Sequence, residues 1–237
     1  MPRFDVVAFD ADDTLWQNEH LFIEAQRMFK GLLSRFHPPD WVAARLYETE
    51  MRNMQHFGYG IKAFALSMIE TALDLSEDRI SGAEVRTIIN AAKAMLAADV
   101  ELVEHAPAIV EHLAGRYALM VITKGDLRDQ DAKMARSGLL PHFTHVEVVS
   151  EKNTASYEGI LSRHRLAAER FLMVGNSLRS DILPVLSLGG TAVYVPHALT
   201  WAYESAAPPS PDAPGYYELA DLTGLPALLE RLEGPAR

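Results

Sequence analysis

The sequence contains no cysteine among its 237 residues. This absence excludes disulfide frameworks, thiolate zinc sites, thiol nucleophiles and redox-active thiol pairs. The sequence also has fewer basic than acidic residues. It contains 22 lysines and arginines and 32 aspartates and glutamates, which gives a formal net charge of -10. We therefore expect no nucleic-acid partner, and an anionic small molecule would need a local positive site.

The sequence also lacks any apolar run of about 18 residues, the length that a membrane-spanning helix requires. Near the N-terminus, Asp5 and Asp10 interrupt the apolar stretch that a signal peptide would need. Hydrophobic residues nevertheless make up 49% of the chain and charged residues 23%, the balance of a compact globular protein. These features predict a cytoplasmic protein with no membrane partner.

Short apolar runs predict buried β-strands at residues 6–9, 119–122, 146–149, 171–174 and 191–195. Because polar residues rarely interrupt these runs, we expect both faces of the sheet to be covered, as in a parallel sheet between helices. Segments with proline in the first turn or glycine at the end predict helices at residues 106–114, 126–137 and 181–188. The alternation predicts an α/β fold with a doubly wound parallel sheet.

The long stretch between the first two apolar runs shows only the helical period. Apolar stripes predict helices that begin near Leu21, Ile61 and Val85, and a further helix is predicted at residues 41–56. Ser81 and Glu84 form a capping-box pattern before the last of these helices. We therefore predict an α/β core of residues 1–16 and 99–237, with an inserted all-helical module at residues 17–98. The proline-rich segment 206–214 is expected to be an exposed loop.

Polar and charged residues follow the predicted strands. Ligands of a doubly wound sheet bind beyond the carboxyl ends of its strands, so these side chains should converge at one edge. Clustered carboxylates repel one another unless a divalent cation neutralises them, and oxygen ligands together with phosphate favour Mg²⁺. The residues that follow the first four runs are Asp10-Ala11-Asp12-Asp13-Thr14, Thr123-Lys124-Gly125-Asp126, Ser150-Glu151-Lys152, and the segment from Gly175 and Asn176 to Asp181.

These residues resemble the four motifs of the haloacid dehalogenase (HAD) superfamily of hydrolases, most of whose members are magnesium-dependent phosphatases. The resemblance covers essentially the whole core. The helical insertion directly after the first motif is where that family places its cap of the first type. The resemblance thus implies a HAD-like, Rossmann-type core with a helical cap. The motifs occur in the family's order, as DxDxT at Asp10, Asp12 and Thr14, a hydroxyl at Thr123, a lysine at Lys152, and an acidic motif that ends at Asp181.

The residue types suggest roles in phosphoryl transfer that agree with this resemblance. Asp10 is the expected nucleophile, which would form an aspartyl-phosphate intermediate that water then cleaves. Asp12 would protonate the leaving oxygen and afterwards deprotonate the water. In the family, the backbone carbonyl of Asp12 also ligates the metal. Magnesium would therefore be held by Asp10, Asp12 and Asp181.

Hydrogen-bond donors should surround the phosphate, because phosphoryl transfer depends mainly on positioning and charge neutralisation. Thr123 and Lys152 are the expected catalytic donors, and the amides of Lys124 and Gly125 offer a further anion contact. Lys152 would pair with both Asp10 and the phosphate. Because the proline that often follows the family's lysine is absent, Lys124 stays open as an alternative third-motif lysine.

The fourth motif departs from the family pattern, because Asn176 occupies a position where an aspartate is common. Asp181 is then the better metal ligand, and Asn176 is expected to be a neutral neighbour that orients a water on the metal. This substitution predicts a lowered affinity for the metal.

The leading hypothesis is a Mg²⁺-dependent phosphatase that hydrolyses a small phosphorylated metabolite. A 2-haloacid dehalogenase would use the same nucleophilic aspartate, but a halide needs no proton to leave, so Asp12 argues against it. A phosphomutase would share the entire motif set, and the sequence does not separate the two. A non-catalytic HAD-fold binding protein would be expected to have lost Asp10 or Asp12. No expectation follows for the oligomeric state.

Overall fold

The computed structural model of the protein describes residues 3–234. Their strands form one six-stranded sheet in the order β3-β2-β1-β4-β5-β6. β1 pairs in parallel with β2 and β4, β4 pairs in parallel with β5, and β5 pairs in parallel with β6. The doubly wound parallel α/β fold is therefore confirmed. The strands are β1 (Val6–Phe9), β2 (Ala118–Lys124), β3 (His145–Val149), β4 (Phe171–Gly175), β5 (Thr191–Tyr194) and β6 (Tyr216–Glu218).

The α-helices follow the alternation that the sequence predicts. Four of them lie in the chain between β1 and β2 with no strand among them, and they are followed by a fifth that leads into β2. The helices are α1 (Glu19–Leu33), α2 (Pro39–Phe57), α3 (Ile61–Ser76), α4 (Gly82–Ala97), α5 (Ala106–Ala114), α6 (Leu127–Arg136), α7 (Thr154–His164), α8 (Leu183–Ser187) and α9 (Leu225–Glu233). Over residues 3–234, none of the helices combines the length and the hydropathy that crossing a bilayer requires.

The chain forms two compact units. The first contains the sheet, α5, α7, α8 and α9, and the second comprises His20–Asp99 together with Lys124–Gln130. The second unit has its own apolar core, in which Phe29, Leu33 and Met68 are fully buried. The capping box that opens α4 is present, because the Ser81 side chain accepts from the Glu84 amide and the Glu84 carboxylate accepts from the Ser81 amide at 2.8 Å.

β1 is packed on both faces, which explains its unbroken apolar sequence. Val7 and Phe9 belong to one apolar cluster of the first unit, and Val6 and Ala8 belong to the other. Each of these side chains is almost completely buried. Because residues alternate between the faces of a strand, a one-residue shift of β1 would exchange the two clusters. The packing therefore holds the end of β1 at a fixed position.

Two elements differ from the sequence-based expectation. The predicted helix at residues 181–188 is a π-helical turn at Leu178–Ile182 followed by the short helix α8. β6 was not predicted, because it has only three residues and includes the exposed Glu218, which gives no apolar run. The proline-rich segment 206–214 contains neither helix nor strand, as expected.

Candidate active site

Asp10 directly follows β1 at the carboxyl edge of the sheet. Its amide donates to the carbonyl of Val174 at 2.9 Å and so continues the pairing between β1 and β4. Only 7% of the residue is exposed. The sheet therefore places this carboxylate in a buried position at the centre of the edge.

The ammonium of Lys152 joins the carboxylates of Asp10 and Asp181. Its Nζ contacts Asp10 Oδ1 and lies 2.8 Å from Asp181 Oδ1. Burial raises the pKa of Asp10 to about 7, although the adjacent Lys152 opposes this rise. Burial alone would lower the pKa of Lys152, but the two carboxylates raise it above its ordinary value. The lysine is therefore held in its charged form.

A turn with π-helical geometry places Asp181. Asp181 Oδ2 accepts from the Ser177 amide at 3.0 Å, and the side chain is fully buried. The hydroxyls of Ser177 and Ser180 both donate to Glu204 Oε2, at 2.5 and 2.6 Å. Glu204 thus holds the start and the middle of the turn through one carboxylate oxygen. Single π-turns of this kind are frequent at functional sites.

The Thr14 hydroxyl lies between the side chains of Asp10 and Asn176. The Thr14 hydroxyl lies 3.1 Å from Asp10 Oδ2 and 3.4 Å from Asn176 Oδ1. A hydroxyl carries a single hydrogen, so it donates chiefly to the closer carboxylate. The structure thus places the neutral amide oxygen of Asn176 close to the Asp10 carboxylate.

Asp12 lies next to the buried cluster, and its side chain is 22% exposed. Its Oδ1 accepts from Trp16 Nε1 at 2.7 Å and from Lys133 Nζ at 2.9 Å. Asp13 has a different function, because its carboxylate accepts from the amides of Asn18 and Glu19 where α1 begins. Asp13 is therefore a helix-entry residue.

The other predicted residues follow β2. Thr123 is buried two residues beyond Val121, the partner of Phe9 in the sheet. Lys124 and Gly125 belong to the second unit, where Lys124 Nζ lies 4.4 Å from the centre of the Tyr59 ring. Of the two candidate lysines, the structure brings Lys152 to Asp10.

The donor set at this edge fits a magnesium ion. Two buried carboxylates and one ammonium leave a negative charge in excess, which a cation would neutralise. Within residues 3–234, no three acidic or histidine side chains are grouped as metal ligands. Magnesium does not require such a cage, because it is usually bound by one or two carboxylates, waters and substrate phosphate oxygens. The paired carboxylates of Asp10 and Asp181 meet the carboxylate part of that requirement.

Sequence reasoning missed several residues around the cluster. Lys133 contacts Asp12 from α6, and Glu204 contacts the π-helical turn from the end of a short 3-10 helix, Ala202–Glu204. The Tyr157 hydroxyl is buried without a hydrogen-bond partner among the described residues, and the tyrosine lies close enough to Lys152 to affect its pKa. Trp16, which donates to Asp12, was also missed, although it stands only two residues beyond the first motif.

Comparison with known proteins identifies the family. A family model described as a haloacid dehalogenase-like hydrolase matches residues 4–189. A solved structure of a haloacid dehalogenase-like family hydrolase from Xanthomonas campestris is 40% identical in sequence. That match covers 98% of this chain and 92% of the other, with a TM-score of 0.88. This chain belongs to the haloacid dehalogenase-like hydrolases.

More distant structures are similar in fold. The HAD-hydrolase YfnB from Bacillus subtilis, bound to magnesium, is 18% identical with a TM-score of 0.66 and covers 96% of this chain and 99% of its own. The 2-haloacid dehalogenase from Pseudomonas syringae is 20% identical with a TM-score of 0.65 and covers 97% and 99%. At these identities the likeness shows the fold alone. No curated protein matches the sequence.

Proposed function

We propose that this hydrolase is a Mg²⁺-dependent phosphatase that acts on a small phosphorylated metabolite through an aspartyl-phosphate intermediate. The observation that carries the proposal is the partly exposed carboxylate of Asp12 beside the buried Asp10. A phosphate ester leaves as an alkoxide that needs a proton, whereas a halide needs none. A positioned second carboxylate therefore suits ester hydrolysis better than dehalogenation.

In the first step, a carboxylate oxygen of Asp10 attacks phosphorus and the bond from phosphorus to the ester oxygen breaks. Asp12 gives its proton to the leaving oxygen, which departs as an alcohol. Lys152 and Thr14 hold the two oxygens of Asp10 and so limit the rotation of the nucleophile. Such fixed orientation lowers the barrier because less freedom is lost in the transition state.

In the second step, water attacks phosphorus and the bond to Asp10 breaks. Asp12, now a carboxylate, takes a proton from the water, and inorganic phosphate is released with both aspartates restored. Asp12 is therefore an acid in one step and a base in the next. Its position at the margin of the buried cluster gives it access to both the leaving oxygen and water.

The metal and the phosphate would be held by the residues at the strand ends. Asp10, Asp181 and the Asp12 carbonyl would bind Mg²⁺, with Asn176 as a neutral neighbour. When bound, Mg²⁺ supplies neutralisation of the charge on the transferring phosphoryl group. Lys152 and Thr123 would contact the phosphate, and the amides of Lys124 and Gly125 would complete its binding site.

The helical module of residues 17–98 would act as a mobile lid that closes over Asp10 and selects the substrate. Its two connections leave the first unit side by side, because the Gln17 amide donates to the Glu101 carbonyl at 2.8 Å and Trp16 bridges to Leu102. Asp12 also forms a bridge to Trp16, so the connections leave the sheet beside the proposed acid. A closing lid excludes bulk water and admits a small molecule, which favours a small metabolite as substrate.

The decisive experiment measures phosphate release from sugar phosphates, nucleotides and phosphoglycolate, with and without Mg²⁺. The same preparation is assayed for chloride release from 2-chloropropionate. Magnesium-dependent phosphate release without chloride release supports the proposal. Chloride release alone would identify a dehalogenase, and phosphoryl transfer between substrate hydroxyls would identify a phosphomutase. The absence of all three activities would indicate a binding protein.

A further inference from the structure

Lys133 is a buried lysine that no HAD-like motif in the sequence includes. It extends from α6, and only 10% of its side chain is exposed. Its Nζ donates to Asp12 Oδ1 at 2.9 Å and to Asn18 Oδ1 at 3.0 Å. The sequence separation between Lys133 and Asp12 is 121 residues, so the fold itself brings this ammonium to the proposed acid.

Trp16 provides a second donor to the same oxygen of Asp12. Its indole Nε1 donates to Asp12 Oδ1 at 2.7 Å, and the residue is only 1% exposed. The backbone of Trp16 is fixed by bridges to Asp12 and Leu102. Two donors from opposite parts of the chain thus anchor a single carboxylate oxygen. A carboxylate anchored through Oδ1 keeps its Oδ2 in one orientation.

We propose that Lys133 is a positioning residue that orients the Asp12 carboxylate for proton transfer to the leaving oxygen, an inference that rests on the proposed phosphatase function. Lys133 itself touches none of the reacting atoms in this scheme. It anchors Oδ1, while Oδ2 carries the proton that moves to the ester oxygen as the bond to phosphorus breaks. Loss of the anchor lets the carboxylate rotate, and proton transfer requires an aligned donor and acceptor.

Stability alone does not account for this lysine. A partly exposed ion pair contributes little to the free energy of folding, since the median for such pairs is about 0–1 kcal/mol. Lys133 is mostly buried, however, and an apolar side chain would fill the same space without the cost of burying a charge. The ion pair of Lys133 and Asp12 therefore buries a charge that packing does not require. That charge lies beside the Asp12 carboxylate, which must hold a fixed orientation.

The test compares Lys133→Met with the wild type on two substrates that differ in their leaving groups. One is the best alkyl phosphate from the substrate panel, whose alkoxide needs a proton, and the other is 4-nitrophenyl phosphate, whose phenolate leaves readily. The parameter is kcat/KM, because it reports the steps up to release of the alcohol. We expect kcat/KM for the alkyl phosphate to fall at least about 10-fold, and that for the aryl phosphate to change by less than about 3-fold.

A double-mutant cycle shows whether Lys133 acts through Asp12. Asp12→Asn should reproduce the selective loss, and Asp12→Asn combined with Lys133→Met should be no worse than Asp12→Asn alone. Lys133→Arg, which keeps a cationic donor, should restore part of the alkyl-phosphate activity. Arg136→Met is the matched control, because it removes an exposed cation from the same helix.

An equal loss on both substrates, or additive losses in the double variant, would overturn the positioning role of Lys133 while leaving the phosphatase proposal intact. If the wild type released no phosphate from any ester, both proposals would fail together. Thermal unfolding of each variant identifies a misfolded protein. If Lys133→Met misfolds, Lys133→Leu replaces it in the same comparison, with the same expected selectivity, because leucine also lacks a hydrogen-bond donor.

Discussion

The carboxylate of Asp181 rests directly against the Cα of Gly175. A Cβ added at Gly175 would lie 2.3 Å from Asp181 Oδ2, in the space that this carboxylate occupies while it accepts from the Ser177 amide and from Lys152. A side chain at position 175 and the carboxylate of Asp181, the proposed metal ligand, would therefore occupy the same space. Glycine resolves this conflict because it has no side chain.

Gly175→Ala should displace Asp181 and impair the site. We expect an overpacking cost of about 1–3 kcal/mol in the free energy of unfolding, and a loss of magnesium-dependent activity of more than about 10-fold. Urea denaturation and phosphate release measure the two effects. Gly159→Ala in α7 is the control, because a Cβ there meets no atom within 4 Å. Activity equal to that of this control would contradict the role assigned to Gly175.

Asp10→Asn should abolish turnover while the fold is retained, because the amide keeps the shape of the side chain but is a far poorer nucleophile. We expect kcat to fall at least about 10³-fold. Asp5→Asn is a matched control, since Asp5 precedes β1 and pairs with Arg170 on an exposed surface. If Asp10→Asn retained a rate near that of the wild type, a covalent mechanism through Asp10 would be excluded.

Removal of magnesium should abolish activity reversibly. EDTA is expected to eliminate phosphate release, and added Mg²⁺ should restore it, because the excess negative charge of Asp10 and Asp181 is then neutralised again. Binding has a separate readout, since Mg²⁺ should raise the Tm of the wild type but not that of Asp181→Asn. Full activity in metal-free buffer would refute the site assignment.

Glu50 in α2 should make stability depend on pH. Its Oε1 is buried without a hydrogen-bond partner within residues 3–234, and burial raises the pKa of its carboxyl from 4.5 to about 7. The charged form is penalised only in the folded protein, so stability should fall as pH rises from about 4.5 to 7, by at most about 3 kcal/mol. Urea denaturation between pH 4 and 8 measures this fall.

Glu50→Gln should remove the effect, because glutamine does not titrate. This variant is expected to be more stable than the wild type at pH 8 and to show a smaller change across the same pH range. Glu48→Gln is the control, since Glu48 lies in the same helix with a 54% exposed side chain. Parallel pH profiles for Glu50→Gln and the wild type would show that burial of Glu50 has no energetic consequence.

Replacement of the helical module by a short turn should change substrate preference. If residues 17–98 form a specificity lid, the shortened protein should lose discrimination among the phosphate esters while it retains some hydrolysis of 4-nitrophenyl phosphate. The ratio of kcat/KM values across the panel measures discrimination independently of the overall rate. An unchanged ratio would rule out the lid.

The sequence predicted the sheet well because packing on both faces produces unbroken apolar runs. β1 has the predicted bounds, and Asp10 follows it directly. The same logic failed for β6, whose three residues are too few to form a recognisable run. The π-helical turn was also missed, because apolar spacing does not distinguish its hydrogen bonds from those of an α-helix.

The site was predictable where its residues follow strands, and was not where they come from helices and loops. Asp10, Lys152 and Asp181 each follow a strand of one sheet, so topology alone places them at the same edge. Lys133 lies in the polar helix α6, whose sequence predicts exposure to solvent. Only the packed structure shows that the Lys133 side chain is buried. Glu204 ends a three-residue 3-10 helix, which is too short to produce a periodic pattern in the sequence.

The paired connections between residues 17 and 101 have an evolutionary consequence. Because the two ends of the helical insertion are neighbours in the first unit, the insertion could be exchanged for a different one without altering the path of the sheet. Asp10, Lys152 and Asp181 would keep their mutual geometry through such an exchange. The architecture therefore allows one helical insertion to replace another, while the cluster at the sheet edge is inherited unchanged.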